Sequence, residues 1–497
     1  MLIKFYHFIL SAVLLSLLTI PCPANEKSDQ IDKLMQTYQN YNQFNGVILV
    51  AEHSQVIYRQ GFGYANMEWN IPNTPETRFR LASISKQFTV MLIMQLVEEG
   101  KLKLDGTLST YLRYYRKDNG EKITIYHLLT HTSGIPSYTN LRTFWPVKIR
   151  DSFQPDSLIV KYCSGDLEFE PGSKFNYNNS GYVILGSIIE HTTGKLYEQV
   201  LREKIFDPLG MTNSGYDHNK TVLPKRATGY DKDFINFFNS DYIDMSVPFA
   251  AGGLYSTIDD MYLWDQALYT DRLLSSKYRE IMFSPYLNNY AFGWGVNRVP
   301  KGVAGDSTLA ITHSGGINGF NTRIIRLVED RNLIVVLMNA PGANINEICQ
   351  KIIAILYDYP YVPPKKSVAA TLALVIMESG IESAEKTYQK IKTDESAIYD
   401  FNENEFNNLG YYLLQRAKYI EAIQVFKWNT DASPTSVNTY DSLAEAYLLS
   451  GDKINAIFYY TKAIEMLEQD KNITPAFRQQ LREGATEKLK QLNDSRE

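Results

Sequence analysis

Two stretches near the carboxyl end of the chain match each other at a spacing of 34 residues, which constrains the fold more than any other feature. Small residues recur where two antiparallel helices have to approach closely, and Pro434 stands where the first unit ends. The spacing predicts a stack of helix pairs. The matched positions are Phe406 with Tyr440, Leu409 with Leu443, Gly410 with Ala444, Leu413 with Tyr447, Ala422 with Ala456, and Phe426 with Tyr460.

These units resemble the tetratricopeptide repeat, and the resemblance implies a concave surface that can hold a protein partner. A weaker unit at 368–391, with Ala384 and Tyr388, would complete the stack, and 474–493 is predicted as a capping helix with a polar face. The segment 359–366 is predicted to be a linker, because its prolines can neither continue a helix nor donate to a strand ladder.

The amino-terminal residues have the pattern of a secretion signal. The apolar run 8–20 is too short for a typical membrane span, and Cys22-Pro23-Ala24 offers small residues for cleavage after Ala24. An uncleaved anchor is the alternative. We therefore expect a signal peptide over 1–24, a first domain over 25–360 and a helical repeat domain over 361–497. The protein is expected to be secreted and periplasmic, with no membrane span after cleavage.

Composition excludes some classes of function. The chain carries a formal net charge of -5 and no block rich in Lys or Arg, which argues against nucleic-acid binding. Its His, Cys and Asp residues lack metal-ligand spacing and it has no phosphate-binding loop, so we expect neither a metal nor another cofactor. Beyond the leader only Cys163 and Cys349 remain, and the sequence is compatible with one disulfide or with two buried free thiols.

The first domain has strand patterns at both ends and helices between them. Residues 46–51 and 55–58 form one predicted hairpin, and 322–328 with 333–338 form a second. Pairing the two hairpins into one antiparallel sheet, with the middle region packed on it, predicts an α+β fold. Further helices are predicted at 31–41, 83–99, 182–191 and 344–357; the helix at 83–99 is apolar on every side, which is typical of a core helix.

Ser83 and Lys86 begin that core helix in a Ser-x-x-Lys spacing. Lys86 follows one turn later on the same face, so its amine can reach the Ser83 hydroxyl. Burial near a helix N-terminus favours the neutral amine, and the same helix end supplies N–H groups for an oxyanion. The structural alternative is that Ser83 only caps the helix. The spacing recurs at Ser383–Lys386 and Ser450–Lys453, where the serines are interpreted as turn or cap residues.

Tyr177-Asn178-Asn179 follows a Pro-Gly pair and precedes an apolar helix, which predicts a loop held at both ends. Tyr177 could transfer protons if a cation such as Lys86 favours its phenolate, and Asn179 could accept from Lys86 and donate to a substrate carbonyl. The other Tyr-x-Asn copies are interpreted as surface turns. They are Tyr38–Asn40, Tyr64–Asn66, Tyr138–Asn140 and Tyr286–Asn288.

His313-Ser314-Gly315-Gly316 contains the single His-x-Gly of the chain. Its glycines would let a substrate backbone lie against a strand edge, and the Gly316 N–H is a candidate oxyanion donor. For His313 alone, a purely structural histidine is the alternative.

In this order the three motifs resemble the serine β-lactamase/penicillin-binding-protein superfamily, above all its class C-like branch of DD-peptidases, D-aminopeptidases and esterases. The resemblance covers 25–360 and implies that Ser83 is the acylated nucleophile, that Lys86 and Tyr177 shuttle the proton and that Asn179 orients the substrate. It also implies an oxyanion hole from the N–H groups of Ser83 and Gly316, and a sheet flanked by helices beside a helical lobe, with the site at their seam. Further matching phrases are 79–88, 128–135, 177–182 and 252–257.

The substrate strand departs from the pattern of many β-lactamases, which carry Lys-[Ser/Thr]-Gly where this chain has His313-Ser314-Gly315. A neutral His binds a carboxylate less firmly than Lys does, which lowers the expectation of efficient β-lactam hydrolysis. One hypothesis is an exported serine hydrolase acting on D-amino-acid peptides of the peptidoglycan type, on esters or on β-lactams. The other is a binding or sensor protein with an inactive hydrolase-like domain, whose repeats hold a partner.

Overall fold

The computed structural model describes residues 26–145, 147–302, 305–470 and 473–494. The predicted signal peptide and Cys22 lie outside these residues. Within them, no helix combines the length and the apolar character needed to cross a membrane.

A six-stranded antiparallel sheet is the centre of the first 360 residues. Val47 lies opposite Leu337, so the two predicted hairpins do pair into one sheet. The edge strand Gly295–Pro300 was not predicted from the sequence. Asn297 and Arg298 are both exposed, and they break the alternation of apolar and polar residues that is typical of a strand. The strand order is Gly295–Pro300, Ser307–Ile317, Phe320–Leu327, Asn332–Met338, Gly46–Glu52 and Gln55–Phe62.

Helices cover both faces of this sheet. Val47 and Leu49 pack into the core that includes the helix Lys86–Glu98. Their neighbours Ile48 and Val50 point to the opposite face. There they pack with two flanking helices, Glu26–Asn40 and Ile345–Leu356. Burial on both faces explains why the first strand is a continuous apolar run.

The remaining elements of this part are short and surround the sheet. The other helices are Leu108–Tyr111, Lys117–Gly120, Ile125–Leu129, Pro155–Tyr162, Asn179–Thr193, Tyr197–Leu201, Asp207–Leu209, Phe249–Gly252, Ile258–Ala267 and Ser276–Phe283. Short strands pair as Tyr64–Asn66 with Ile71–Pro72, Leu254–Ser256 with both Phe79–Arg80 and Gly215–Tyr216, and Tyr230–Lys232 with Phe237–Asn239.

The carboxyl-terminal region is helical and has a separate hydrophobic core. A Cβ atom on Gly410 would lie 2.3 Å from the ring of Phe426, so this glycine allows two helices to pack closely. Phe234, from the short hairpin 230–239, packs against this core with its ring centroid 5.5 Å from that of Tyr412. The helices are Val368–Ser379, Ile381–Asp394, Glu403–Leu414, Tyr419–Ala432, Val437–Leu449, Lys453–Met466 and Pro475–Asp494.

Two interpretations of Tyr-x-Asn copies are wrong. Tyr38 and Tyr138 are each only 1% exposed and therefore do not lie in surface turns. Tyr38 lies on the buried side of the helix Glu26–Asn40, and Tyr138 donates to the carbonyl of Val247 at 2.7 Å. Tyr64 and Tyr286 are exposed, at 43% and 42%.

Both described cysteines are free thiols. Cys163 and Cys349 lie in different hydrophobic cores, on opposite sides of the sheet. Burial raises the pKa of each thiol to about 12. Of the two alternatives that the sequence left open, the structure has the pair of buried thiols.

Candidate active site

Ser83 lies in a tight turn that leads into the buried helix. The 3₁₀ turn Ala82–Ser85 runs directly into the helix Lys86–Glu98, so the predicted helix has a narrower first turn. Ala82 has a φ of 50°, an unfavourable conformation for a residue with a Cβ, directly before Ser83. Ser83 is partly exposed whereas Lys86 is fully buried. Ser83 is thus partly accessible from solvent and Lys86 is not.

The Lys86 amine contacts three oxygen atoms. Its Nζ lies 3.0 Å from Ser83 Oγ, 2.8 Å from Asn179 Oδ1 and 2.8 Å from the carbonyl oxygen of Ala251. Burial holds the pKa of Lys86 well below its usual value, which favours the neutral amine. A neutral amine has two hydrogens and one lone pair. The amide and carbonyl oxygens only accept, so they take both hydrogens and leave the lone pair for the Ser83 hydroxyl.

Tyr177 lies in the loop before the helix Asn179–Thr193, and Asn179 is the first residue of that helix. The Lys86 Nζ lies 5.0 Å from the ring centroid of Tyr177. The Asn178 side chain caps the helix by accepting from the Gly181 N–H at 2.8 Å. The Asn179 amide donates to Thr139 Oγ1 at 3.0 Å. The structure therefore brings Ser83, Lys86, Tyr177 and Asn179 together.

The predicted role of Lys86 in favouring a Tyr177 phenolate runs against the direction of both pKa shifts. Burial raises the pKa of Tyr177 above its usual value, and a hydrogen bond with Ser83 opposes this only in part. Burial lowers the pKa of Lys86 at the same time, so burial favours the uncharged form of both groups. Lys86 has the properties of the base, and Tyr177 those of a proton donor.

The strand Ser307–Ile317 runs past the Ser83 turn and has a free edge there. Its neighbour on one side, the strand Gly295–Pro300, pairs with it only as far as Thr312. A Cβ on Gly315 would lie 2.3 Å from the carbonyl oxygen of Leu81, so only glycine fits at this contact. A Cβ on Gly316 would meet nothing within 4 Å. The free edge beyond Thr312 can accept an extended backbone, and Gly316 leaves room for it.

His313 is buried within the site and both of its ring nitrogens are occupied. Its Nδ1 lies 2.6 Å from the carbonyl oxygen of Ser314, so Nδ1 carries the hydrogen, and its Nε2 accepts from the Tyr290 hydroxyl at 3.0 Å. Burial is the main cause that lowers the pKa of His313 to about 3, so the ring is neutral. His313 therefore has no free N–H for a substrate carboxylate.

Sequence reasoning assigned no role to two residues that the structure brings to this site, or to a third on the neighbouring strand. His131 and Tyr290 pack their rings 4.4 Å and 6.3 Å from that of Tyr177. Arg323 lies opposite Ser314 across the strand pair, and its buried Nε has no hydrogen-bond partner among the described residues. His131 stands inside the matching phrase 128–135, which could have identified it. Arg323 has no local signal, because only strand register places it beside Ser314.

No grouping of three or more His, Cys, Asp or Glu side chains able to hold a metal ion occurs in the described part of the chain. The chemistry available from these residues is a serine hydroxyl, an uncharged amine, a phenol and backbone N–H groups at a free strand edge. This set suits transfer of an acyl group to and from serine.

Comparison with known proteins gives a consistent result. The Beta-lactamase family model matches residues 31–349. Penicillin-binding protein 4* of Bacillus subtilis (strain 168) is 31% identical over 370 residues, covering 68% of this chain and 78% of that protein. The D-aminopeptidase of Gluconobacter oxydans (strain 621H) is 26% identical over 327 residues, covering 65% of this chain and 60% of that protein. A penicillin-binding protein structure from Bacillus halodurans aligns with a TM-score of 0.57 and 27% identity, over 65% of this chain and 98% of that one.

Proposed function

This chain belongs to the Beta-lactamase family of serine hydrolases, and from that premise we propose that it works through an acyl-enzyme on Ser83. The observation that carries the proposal is the Lys86 amine, buried without a counter-ion among its described contacts. Its two hydrogens go to Asn179 Oδ1 and the Ala251 carbonyl, while its lone pair faces the Ser83 hydroxyl at 3.0 Å. A neutral amine next to an accessible hydroxyl is a general base beside a nucleophile.

Acylation begins when Ser83 Oγ attacks the substrate carbonyl carbon and its proton passes to Lys86 Nζ. The carbonyl π electrons move to the oxygen, where the N–H groups of Ser83 and Gly316 would stabilise the oxyanion. When the oxyanion collapses, the bond to the leaving group breaks. The leaving group takes a proton from the Tyr177 hydroxyl, which recovers one from the Lys86 ammonium. Water then repeats these steps on the ester, with Lys86 as the base, and Ser83 regains its proton.

The substrates we propose are D-amino-acid peptides of the peptidoglycan type, esters and β-lactams. The names of the relatives support the first group, since one is a D-aminopeptidase and another a penicillin-binding protein. His313 is neutral and lacks a free N–H, so we assign it to support of the strand, with Ser314 and Gly315 beside the substrate. A substrate carboxylate would be bound instead by Arg323 together with Ser314, which lie opposite each other on adjacent strands beside the free edge.

We also propose that the chain is exported to the periplasm and that 361–497 is a tetratricopeptide-like domain for a protein partner. The 34-residue spacing and the close approach of Gly410 to Phe426 support the second proposal. The competing function, a binding or sensor protein, would need an inactive Ser83.

Labelling with a fluorophosphonate tests the proposal. The full chain should be labelled at Ser83, and Ser83→Ala should abolish labelling while the protein stays folded. The wild-type chain should also hydrolyse a D-configured amino-acid ester faster than its L-configured counterpart. A folded wild-type chain without labelling or turnover would favour the binding-protein function.

A further inference from the structure

His131 has a backbone conformation that a histidine seldom adopts. It follows the short helix Ile125–Leu129, with Thr130 as the C-cap, and has a φ of 57°. This position after a helix is usually occupied by glycine, or by asparagine, because other side chains are strained there. Strain of this kind persists where the surroundings hold the residue in place. His131 is 1% exposed, so its ring is held by packing on all sides.

Three contacts connect His131 to the loop that carries Tyr177. Its carbonyl oxygen accepts from the Asn176 N–H at 2.9 Å, and its Nδ1 accepts from the Asn178 N–H at 3.0 Å. The centroid of its ring lies 4.4 Å from that of Tyr177. The residues before and after Tyr177, and the Tyr177 ring itself, are therefore all held by one side chain and its backbone.

The protonation state of His131 suits a residue that positions the Tyr177 loop and does not suit one that transfers protons. Because Nδ1 accepts from a backbone N–H, a neutral ring carries its hydrogen on Nε2. This Nε2 is buried and has no hydrogen-bond partner among the described residues. Burial lowers the pKa of His131 well below its usual value, and any positive charge on Lys86 acts in the same direction. Burial therefore favours the neutral ring, whose Nδ1 is already engaged by the Asn178 N–H.

We propose that His131 is a positioning residue of this active site, which fixes the Tyr177 hydroxyl where it can deliver a proton to the leaving group. Tyr177 needs such support because it lies in a loop without regular secondary structure. The inference rests on the proposed acyl-enzyme function. According to this inference, the strained backbone at His131 serves to position Tyr177, in addition to any contribution to the stability of the fold.

The first test compares two substitutions with a matched control. His131→Ala should lower kcat roughly 100-fold with little change in KM, because a misplaced catalytic group costs about that much. His131→Asn should recover most of the loss, since asparagine tolerates a positive φ and its Oδ1 can accept from the Asn178 N–H in place of Nδ1. His127→Ala is the control. His127 lies in the same segment and caps the helix Ile125–Leu129, yet it does not contact the Tyr177 loop in this way. Its kcat should stay within about twofold of wild type, as substitutions outside a site usually do.

The second test asks whether His131 acts through Tyr177. In a Tyr177→Phe background, His131→Ala should cause little further loss of kcat, because residues that act as one unit are not additive. Equal losses in both backgrounds would overturn the proposal, as would a His131→Ala enzyme with normal kcat.

A crystal structure of the His131→Ala protein provides a readout that does not depend on activity. The proposal expects the Tyr177 ring to leave its place beside Lys86. A Tyr177 ring that keeps its wild-type position would overturn the proposal even if Ser83 proved inactive. Failure of the acyl-enzyme would appear separately, as a wild-type chain that a fluorophosphonate does not label.

Discussion

The Ser-x-x-Lys spacing occurs in both the sheet-containing part of the chain and the helical carboxyl-terminal part, with different results. In the first part Lys86 is fully buried and its Nζ contacts Ser83. In the second, Ser450 and Lys453 are exposed, and the Ser450 hydroxyl donates to the carbonyl of Tyr447 at 2.8 Å. The comparison shows that the spacing alone does not place a buried amine against the serine hydroxyl. Removal of the lysine from water makes the difference, since it lowers the pKa of the amine.

The largest expected effect is the difference in activity between substitutions of Ser83 and of Ser450, the serines of two Ser-x-x-Lys copies. Ser83→Ala should reduce kcat/KM by at least roughly 10⁴-fold, because loss of a nucleophile removes the acyl-enzyme route. Ser450→Ala should leave kcat/KM unchanged and alter the free energy of unfolding by no more than about 0.5 kcal/mol. Steady-state hydrolysis of an amino-acid ester and thermal unfolding measure both. A large loss with Ser450→Ala would refute the contrast.

The pH dependence tests the burial of Lys86 directly. Protonated Lys86 cannot accept the Ser83 proton, so kcat/KM should fall as the pH is lowered through the pKa of Lys86. This fall in kcat/KM, the acidic limb of the pH profile, should lie well below pH 10.5, because burial lowers the pKa of Lys86. The pKa of His313 is about 3, so His313→Gln should not move the limb. A limb at the pKa of a solvated lysine would contradict the buried-base account.

An effect of intermediate size should distinguish two arginines. Arg323→Ala should raise KM roughly tenfold or more for substrates with a carboxylate, since a charge-assisted hydrogen bond contributes about 1.5–3 kcal/mol. Substrates without a carboxylate should be unaffected. Arg298→Ala is the control, because Arg298 is exposed and pairs with Glu329. If Arg323→Ala changed KM equally for substrates with and without a carboxylate, Arg323 would not bind the carboxylate.

The smallest catalytic effect is expected from the helical part. Gly410→Leu would overpack against Phe426 and should destabilise that part by about 1–3 kcal/mol. Gly484→Leu is the matched control, because a Cβ there meets nothing within 4 Å. Hydrolysis of a small ester should stay within about twofold of wild type in both proteins, provided the two cores unfold independently. Calorimetry would show the transition of the helical part move to lower temperature only for Gly410→Leu.

A large loss of activity in Gly410→Leu would mean that the two parts are coupled. The contact of Phe234 with the helical core through Tyr412 offers the route for such coupling. Phe234→Ala would then reproduce the loss of activity without disturbing Gly410.

Much of the fold could be predicted from the pattern of apolar residues along the sequence. The first strand, the two hairpins and their pairing were predictable, because a short apolar run between turn residues is typical of a strand buried on both faces. The strand Gly295–Pro300 was not, since it lies at the sheet edge with exposed polar residues. The burial of Tyr38 and Tyr138 was also missed, because a three-residue pattern carries no information on which side faces the core.

The sequence predicted in part which residues lie together in the candidate site. Ser83, Lys86, Tyr177 and Asn179 were identified from the order and context of their motifs, although their charge states were not. Burial lowers the pKa of Lys86 and raises that of Tyr177, and burial is a property of the packed structure. Arg323 became visible only through its register with Ser314, which pairs residues from two different strands.

Intact-mass spectrometry of the full chain tests the acyl-enzyme most directly. Wild type, Ser83→Ala and Ser450→Ala would each be exposed to an activated D-amino-acid ester, a penicillin and a D-Ala-D-Ala peptide. The account predicts one covalent adduct on wild type and Ser450→Ala, formed fastest from the ester, and none on Ser83→Ala. An adduct that persists in Ser83→Ala, or no adduct and no turnover in folded wild-type protein, would contradict it.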